Sequence, residues 1–220
     1  MSVSNVFVGS DRILCLTDTM IYRGNMPVGL CERKCFVSES GRFAFSMRGT
    51  HALLQVLGPV LARVESIEHV DIVIRGVPER IGDEFFEASG GEITLMCWSA
   101  NKQAPQSTRY KLRAGGVPVQ ATTMEPGIHL APRMAPGVRL PAHADEAMMV
   151  KMALGQHKVQ EKFSQPMCIG GVMHLTEVNE HGADQKIAGF YPDYSEYYDR
   201  FGCPHAAEYR SRTATASSFG

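Results

Sequence analysis

Four short apolar segments separated by turn residues fall within the first 47 residues, and that density narrows the possible folds more than any other feature of the chain. Residues 3–8 (Val-Ser-Asn-Val-Phe-Val) suit a strand, and Gly9-Ser10-Asp11 is a turn signal. Ile13-Leu14-Cys15-Leu16 continues as a buried strand that ends in Thr17-Asp18-Thr19. Residues 23–27 suit a loop, 34–38 a third strand, 39–41 a turn and 42–47 a fourth strand. Strands of ordinary length packed this closely form an antiparallel sheet, and its first hairpin carries Asp18 back to the start of the chain.

The pattern then changes period. Thr50 is placed to cap a helix with Leu53, Leu54, Val56, Leu57, Val60, Leu61 and Val64 at helical spacing, with Gly58-Pro59 as a kink or break. A second, interrupted helical stretch covers 70–86, where Gly76 and Pro78 intervene. Strands return at 92–99 and 108–113. Residues 124–143, dense in Pro and Gly, suit a long loop with at most a short strand at 128–130. A helix is expected over 143–163, with Asp145 and Glu146 near its start and Lys158 and Lys162 near its end, and with Met148, Met149, Met152, Val159 and Phe163 as contacts. Strands at 170–178 and 186–190 follow.

The order strands, helices, strands, helix, strands predicts an α+β fold: a four-layer αββα sandwich of two stacked antiparallel sheets with helices on the outer faces. Residues 1–204 make one domain, and 205–220 a polar C-terminal tail that is poorly ordered or grips a neighbour.

A chain of 220 residues and 44% hydrophobic composition buries a sizeable core, roughly 70% of its unfolded surface, without staples. Its formal net charge of −1 argues against nucleic acid or an anionic membrane as partner. No apolar run reaches spanning length and no secretory signal is evident, so a cytoplasmic location is expected. Six scattered cysteines suit reduced thiols. Cys31 and Cys35 flank Glu-Arg-Lys, but no further ligands accompany them at zinc spacing, so no metal and no cofactor is expected.

Asp18 follows Ser2 by sixteen residues (18 − 2), and Lys34 follows Asp18 by sixteen (34 − 18). Loss of Met1 would leave Ser2 with a free α-amine beside its hydroxyl, so nucleophile and base would belong to one residue. With Met1 in place that nitrogen is an amide and no base exists.

These residues, with the strand signals around them, resemble the proteasome β-subunit group, which includes the HslV-type peptidases. The resemblance is closest over residues 2–64. The matching text is Ser2-Val-Ser-Asn-Val-Phe-Val-Gly, Ile13 to Asp18, Lys34-Cys35-Phe36, and Phe45 to Thr50; Ile169-Gly170-Gly171-Val172 resembles the Gly-Gly step that opens a late strand. The resemblance implies a proteasome-like N-terminal-nucleophile (Ntn) hydrolase fold in which Ser2 attacks a carbonyl and its own amine takes the proton. Lys34 would lower the pKa of that amine, Asp18 would fix Lys34, and the Gly49 N–H would face the oxyanion. It also implies a homo-oligomer, a ring or stacked assembly, acting on a peptide or a small amide. The chain departs from the family in having serine as nucleophile and in lacking an aspartate and a serine around the late Gly-Gly step, where it reads Pro166-Met167-Cys168-Ile169.

The rival reading is a non-catalytic assembly subunit with the same fold, its loop 124–143 and tail serving as contacts. Among other reactive residue types, Cys168 suits a structural thiol and His174 a satisfied core histidine. His143 and His157 stand at no metal spacing. The Tyr- and acid-rich segment 191–199 suits packing on the last strands or a subunit interface.

Overall fold

Ser4–Val8 (β1) and Arg12–Thr17 (β2) pair antiparallel in the computed structural model, with Ser4 opposite Thr17 and Val8 opposite Ile13. The structure describes residues 3–23, 26–86, 90–134, 139–162, 168–202 and 205–217. Met1, Ser2, Phe163, Pro166 and Met167, named above, lie outside them.

The described chain is mixed α+β, with two five-stranded antiparallel sheets, a two-stranded hairpin and six α-helices. In the first sheet β1 and β2 are central. The order is β10 (Gly127–His129), β1, β2, β11 (Val172–Asn179) and β12 (Gly182–Phe190). The second sheet runs β5 (Cys35–Val37), β6 (Phe43–Arg48), β7 (Gly91–Ser99), β8 (Ala104–Leu112) and β9 (Gln120–Thr123). β3 (Met20–Arg23) and β4 (Met26–Leu30) form the separate hairpin, where a loop is expected from sequence. Pro27 is tolerated there because a two-stranded ribbon has only edges.

Three apolar clusters account for the strand patterns. Leu14 and Leu16 of β2, with Val3 and Phe7, pack on Met149 and Ala153 of α4 (Glu146–Lys158). Ile13 and Cys15 point the other way and join Val6, Val8 and Val178 to Cys35, Ala44 and Met96 of the second sheet. A strand buried on both faces must be apolar at every position, which is why residues 13–16 show no alternation. On the far side of the second sheet, Phe43, Phe45, Ile93 and Leu95 pack on helices α1 (His51–Ala62), α2 (Ile67–Arg75) and α3 (Val77–Arg80).

α1 starts where expected: the Thr50 hydroxyl accepts from the Leu53 N–H at 3.1 Å. Leu53, Leu57 and Leu61 are buried, whereas Val56 and Val60, read as part of the same stripe, are exposed. The helix runs through Pro59 without a break. Gly58 is needed there, since a Cβ would lie 2.5 Å from the Phe36 ring. Gly76 and Pro78 do split the second stretch: α2 ends at Arg75 and α3 begins at Val77.

α4 is capped by Asp145, whose carboxylate accepts from the Met148 N–H at 2.8 Å. The buried face of α4 carries Gln156, which the periodicity did not single out. Gln156 and Asn5 exchange amide hydrogen bonds of 2.6 and 3.1 Å, and Gln156 also donates to the Pro132 carbonyl at 2.7 Å. Both side chains are fully buried, so this closed network ties β1, α4 and the Pro-rich loop together without an orphaned amide group. Residues 206–217, expected as part of a polar tail that is poorly ordered or grips a neighbour, form helix α6 (Ala206–Ser217). Tyr209 anchors it, with its ring 5.1 Å from Phe190 and 4.7 Å from Tyr194, a residue of α5 (Tyr194–Phe201). Tyr209, with Arg210 over the Tyr198 ring, supplies docking that the polar composition concealed. No helix among the described residues is long and apolar enough to cross a membrane.

The Gly170-Gly171 step is seated on the end of β2. Thr19 N–H donates to the Gly170 carbonyl at 3.3 Å, and the Thr19 hydroxyl accepts from Val172 N–H at 2.9 Å. Gly171 has φ +83°, and a Cβ on it would fall 2.3 Å from Thr19 Oγ1. Gly171→Ala should therefore lower unfolding free energy by about 2–4 kcal/mol, from left-handed strain plus overpacking. Gly155→Ala, on α4 with open space around its Cα, should raise it by about 0.5–1 kcal/mol. Urea unfolding of both variants checks the contrast.

Candidate functional site

Three chain segments meet at the end of the first sheet: the start of β1, the residue after β2 and the residue before β5. Asp18 is 0% exposed and Lys34 5% exposed, so both charges are out of water. Lys34 Nζ lies 3.0 Å from Asp18 Oδ1 and donates to the Met20 carbonyl at 2.5 Å. Oδ1 of Asp18 also accepts from the Val3 N–H at 3.0 Å, and Oδ2 from the Met20 N–H at 3.3 Å. Removing two such ions from water costs several kcal/mol each, and only dense hydrogen bonding with close pairing offsets it. The carboxylate here has three donors, which meets that requirement.

Local structure explains the convergence. β2 ends in a polar turn because Thr19 and Asp18 bond backbone groups of other segments. Cys31 N–H donates to the Thr19 carbonyl at 2.9 Å, bringing the chain after β4 back beneath Asp18. Met47 N–H then donates to the Lys34 carbonyl at 2.8 Å, which joins Lys34 to the end of β6. Gly49 follows two residues later, exposed, at φ +140°. A Cβ at Gly49 would stand 3.2 Å from Gly91 Cα, so the chain turns there in close contact with the start of β7.

Sequence reasoning thus placed Asp18 and Lys34 together, and the structure brings them into contact. Gly49 is joined to the same end through β6. Ser2 lies outside the described residues; its neighbour Val3 is held on Asp18. His51 was not singled out. It stands at the start of α1, and burial, with the positive charge of Lys34, pushes its imidazole pKa down. The signal available in the sequence was its place two residues after Gly49.

No family model and no curated protein matches this chain.

The remaining candidates have structural partners. Burial, then the charge of Asp193, pushes the Cys168 thiol up, away from the thiolate a nucleophile needs. Cys31 donates its thiol to the Thr19 carbonyl at 3.2 Å, and burial raises its pKa to about 11. Cys35 accepts from the Thr176 hydroxyl at 3.2 Å. These two cysteines serve different hydrogen bonds, and no group of three metal-ligating side chains occurs among the described residues. His143 is exposed, and His157 Nε2 lies 3.0 Å from Asp193 Oδ2. His174 is a core histidine whose Nδ1 has no hydrogen-bond partner among the described residues, and its ring meets the edge of His205 at 5.1 Å. Segment 191–199 packs on the last strand, with the Tyr194 ring 4.8 Å from Phe190.

Lys34→Met should destabilise by about 3–5 kcal/mol, because Asp18 is left as a buried, unpaired charge. Adding Asp18→Asn to it should restore part of that loss in chemical unfolding, and additive losses would show that the two residues are not energetically coupled.

A pH prediction follows from His174. Its pKa falls from 6.5 to about 4 through burial, reinforced by His205 and Arg33. On acidification the unfolded chain takes the proton first. The contribution of neutral His174 is complete above about pH 6.5 and is lost as pH falls towards 4, with an upper limit on the order of 3 kcal/mol. His174→Phe should flatten stability across that window, as measured by urea midpoints at pH 7 and pH 4.5.

Proposed function

We propose that this chain is a proteasome-like N-terminal-nucleophile amide hydrolase, in the first instance a peptidase, with Ser2 as nucleophile once Met1 is removed. One observation carries the reading: a buried Lys34–Asp18 pair at 3.0 Å, beside the residue that follows Ser2. A lysine confined in that position supplies the positive field that disfavours a protonated α-amine. The three apolar clusters support the αββα architecture, since one lies between the sheets and the others between each sheet and helices.

In this mechanism Ser2 Oγ attacks the amide carbon while the Ser2 amine accepts its proton, directly or through water. The Gly49 N–H stabilises the oxyanion, and the absence of a side chain there lets substrate approach. The amine returns the proton to the departing nitrogen, leaving an ester on Ser2. Water, activated by the same amine, hydrolyses it. Lys34 stays charged throughout, anchored by Asp18 and the Met20 carbonyl. A small non-peptide amide fits the same chemistry, and the enzyme acts as a homo-oligomer.

A second reading, a non-catalytic assembly subunit, draws on a different aspect of the same geometry. Asp18 already holds Val3, Met20 and Lys34, so the pair has a complete structural task without any substrate.

Intact mass and labelling by a β-lactone probe separate the two. The hydrolase reading expects loss of one methionine, a single adduct on Ser2, and no adduct in Ser2→Ala of unchanged oligomeric state. An adduct on Ser2 excludes the purely structural subunit. Protein that lacks Met1 and takes no label excludes the hydrolase.

A further inference from the structure

His174 occupies the end of β11 that lies over the start of β5. It stands opposite Thr17 of β2 and Ile187 of β12. Thr176, two residues further along the same face of β11, bonds Cys35 of the second sheet, so His174 faces the space between the sheets. His174 is 4% exposed and Thr17 0%. Among the described residues, neither His174 Nδ1 nor the Thr17 hydroxyl has a hydrogen-bond partner. A buried polar atom without a partner costs stability, and these two lie on neighbouring strands.

The C-terminal segment covers this position. The ring of His205, the residue before α6, meets the His174 ring edge-on, with centroids 5.1 Å apart and planes at 84°. His205 Nε2 is 3.3 Å from the carbonyl oxygen of Glu32, two residues before Lys34. Few titratable or charged groups face His174. Among the described residues, His205 comes from the lead into α6, and Arg33 and Glu32 come from the loop before β5. Thr17 and Ile187, on the strands at either side, carry no charge. Glu32 is 63% exposed and already paired with Arg33, itself 43% exposed. A proton on His174 thus meets a second imidazole and a guanidinium, with no carboxylate sheltered from solvent to balance it. Moving His205 aside lets water solvate the new charge.

We propose that His174 and His205 form an acid-released latch: His205 holds the start of α6 over the end of the inter-sheet space while His174 is neutral, and α6 detaches when His174 takes a proton. The latch is independent of the hydrolase reading. In the docked form burial, then His205 and Arg33, bring the His174 pKa from 6.5 down to about 4. Without the cover of His205 the imidazole titrates closer to its ordinary value, so the proton binds the released form more tightly. Docking is therefore at full strength above about pH 6.5 and weakens as pH falls, by up to about a hundredfold at pH 4. Tyr209, on Phe190 and Tyr194, moves with α6 and reports its position. Release uncovers the Glu32 carbonyl, which ties the latch to the loop that carries Lys34.

The test uses the full chain with 3-fluorotyrosine in place of tyrosine. The fluorine resonance of Tyr209, assigned with Y209F, reads docking, and the His174 ring protons read protonation. The fluorescence of Trp98, the only tryptophan, reads the integrity of the sheets. In wild type the Tyr209 resonance should move to its solvent-exposed position between pH 6.5 and 4, with the midpoint of His174 and with Trp98 unchanged. H174F, which cannot take a proton, should keep Tyr209 docked at pH 4.5. H205Q should raise the titration midpoint of His174 by about one pH unit or more, because the cover and its charge are both reduced. H205Q keeps the test decisive if H174F does not fold. A Tyr209 resonance that stays docked while His174 titrates overturns the proposal. So does undocking of H174F at the wild-type midpoint, or a His174 midpoint that H205Q leaves in place.

Discussion

The Asp18–Lys34 pair is the interaction on which the N-terminal half of this fold depends. It joins β1, β2 and β5 through one carboxylate and one ammonium, and each has further backbone partners. A buried ion pair is not by itself evidence of stability, because well-packed apolar residues often do as well. It does penalise every arrangement in which one partner lacks the other. A one-residue slip of β1 against β2 would part Val3 from Asp18 and exchange the residues that β1 presents to α4 and to the second sheet. The pair therefore selects one register among several that would satisfy the hydrophobic pattern.

The space between the sheets changes character along its length. At one end Val6, Val8, Ile13 and Met96 form an apolar core. Towards Asp18 the contacts become polar and small: the Ser4 and Ser46 hydroxyls share a hydrogen bond of 3.1 Å, and Gln185 donates to both the Cys35 carbonyl and Thr176 at 2.9 Å. Small hydrogen-bonded side chains leave less bulk between the sheets than paired leucines would. Charged groups then cluster at that end, where the second sheet presents Arg48, Glu92 and Arg109. Stability and candidate chemistry are thus separated along one interface, with the apolar section supporting the polar one.

Elements whose signal is local were legible in the chain. The hairpin of β1 and β2, the Thr50 cap, the acidic start of α4 at Asp145 and Glu146, and the break at Gly76-Pro78 each arise from residues adjacent in sequence. The contact of Asp18 with Lys34 was legible too, through spacing along a resemblance. What was missed depends on residues far apart. The β3–β4 hairpin has a Pro-containing strand of low apolar content and is held from outside, through the bond of Cys31 to Thr19. Helix α6 owes its docking to Tyr209 meeting Phe190 and Tyr194, and a composition of Ala, Ser, Thr and Arg gives no sign of that. Val56 and Val60 fit the helical stripe but face solvent, because periodicity cannot say how wide the buried face is.

By itself the sequence determined the main strands and helices of the two sheets and their covering layers, the Thr50 cap, the first turns, and the strands that had to be covered on both faces, since local backbone preference and hydrophobic period set these. Only the tertiary structure decided which side chains share a site. Asn5 and Gln156, 151 residues apart, became one closed amide network. Arg48, Glu92 and Arg109, on three strands, became one charged cluster. Sheet register is a long-range quantity: it is fixed by the sum of packing and buried hydrogen bonds over the whole sheet, and no short stretch of chain contains it.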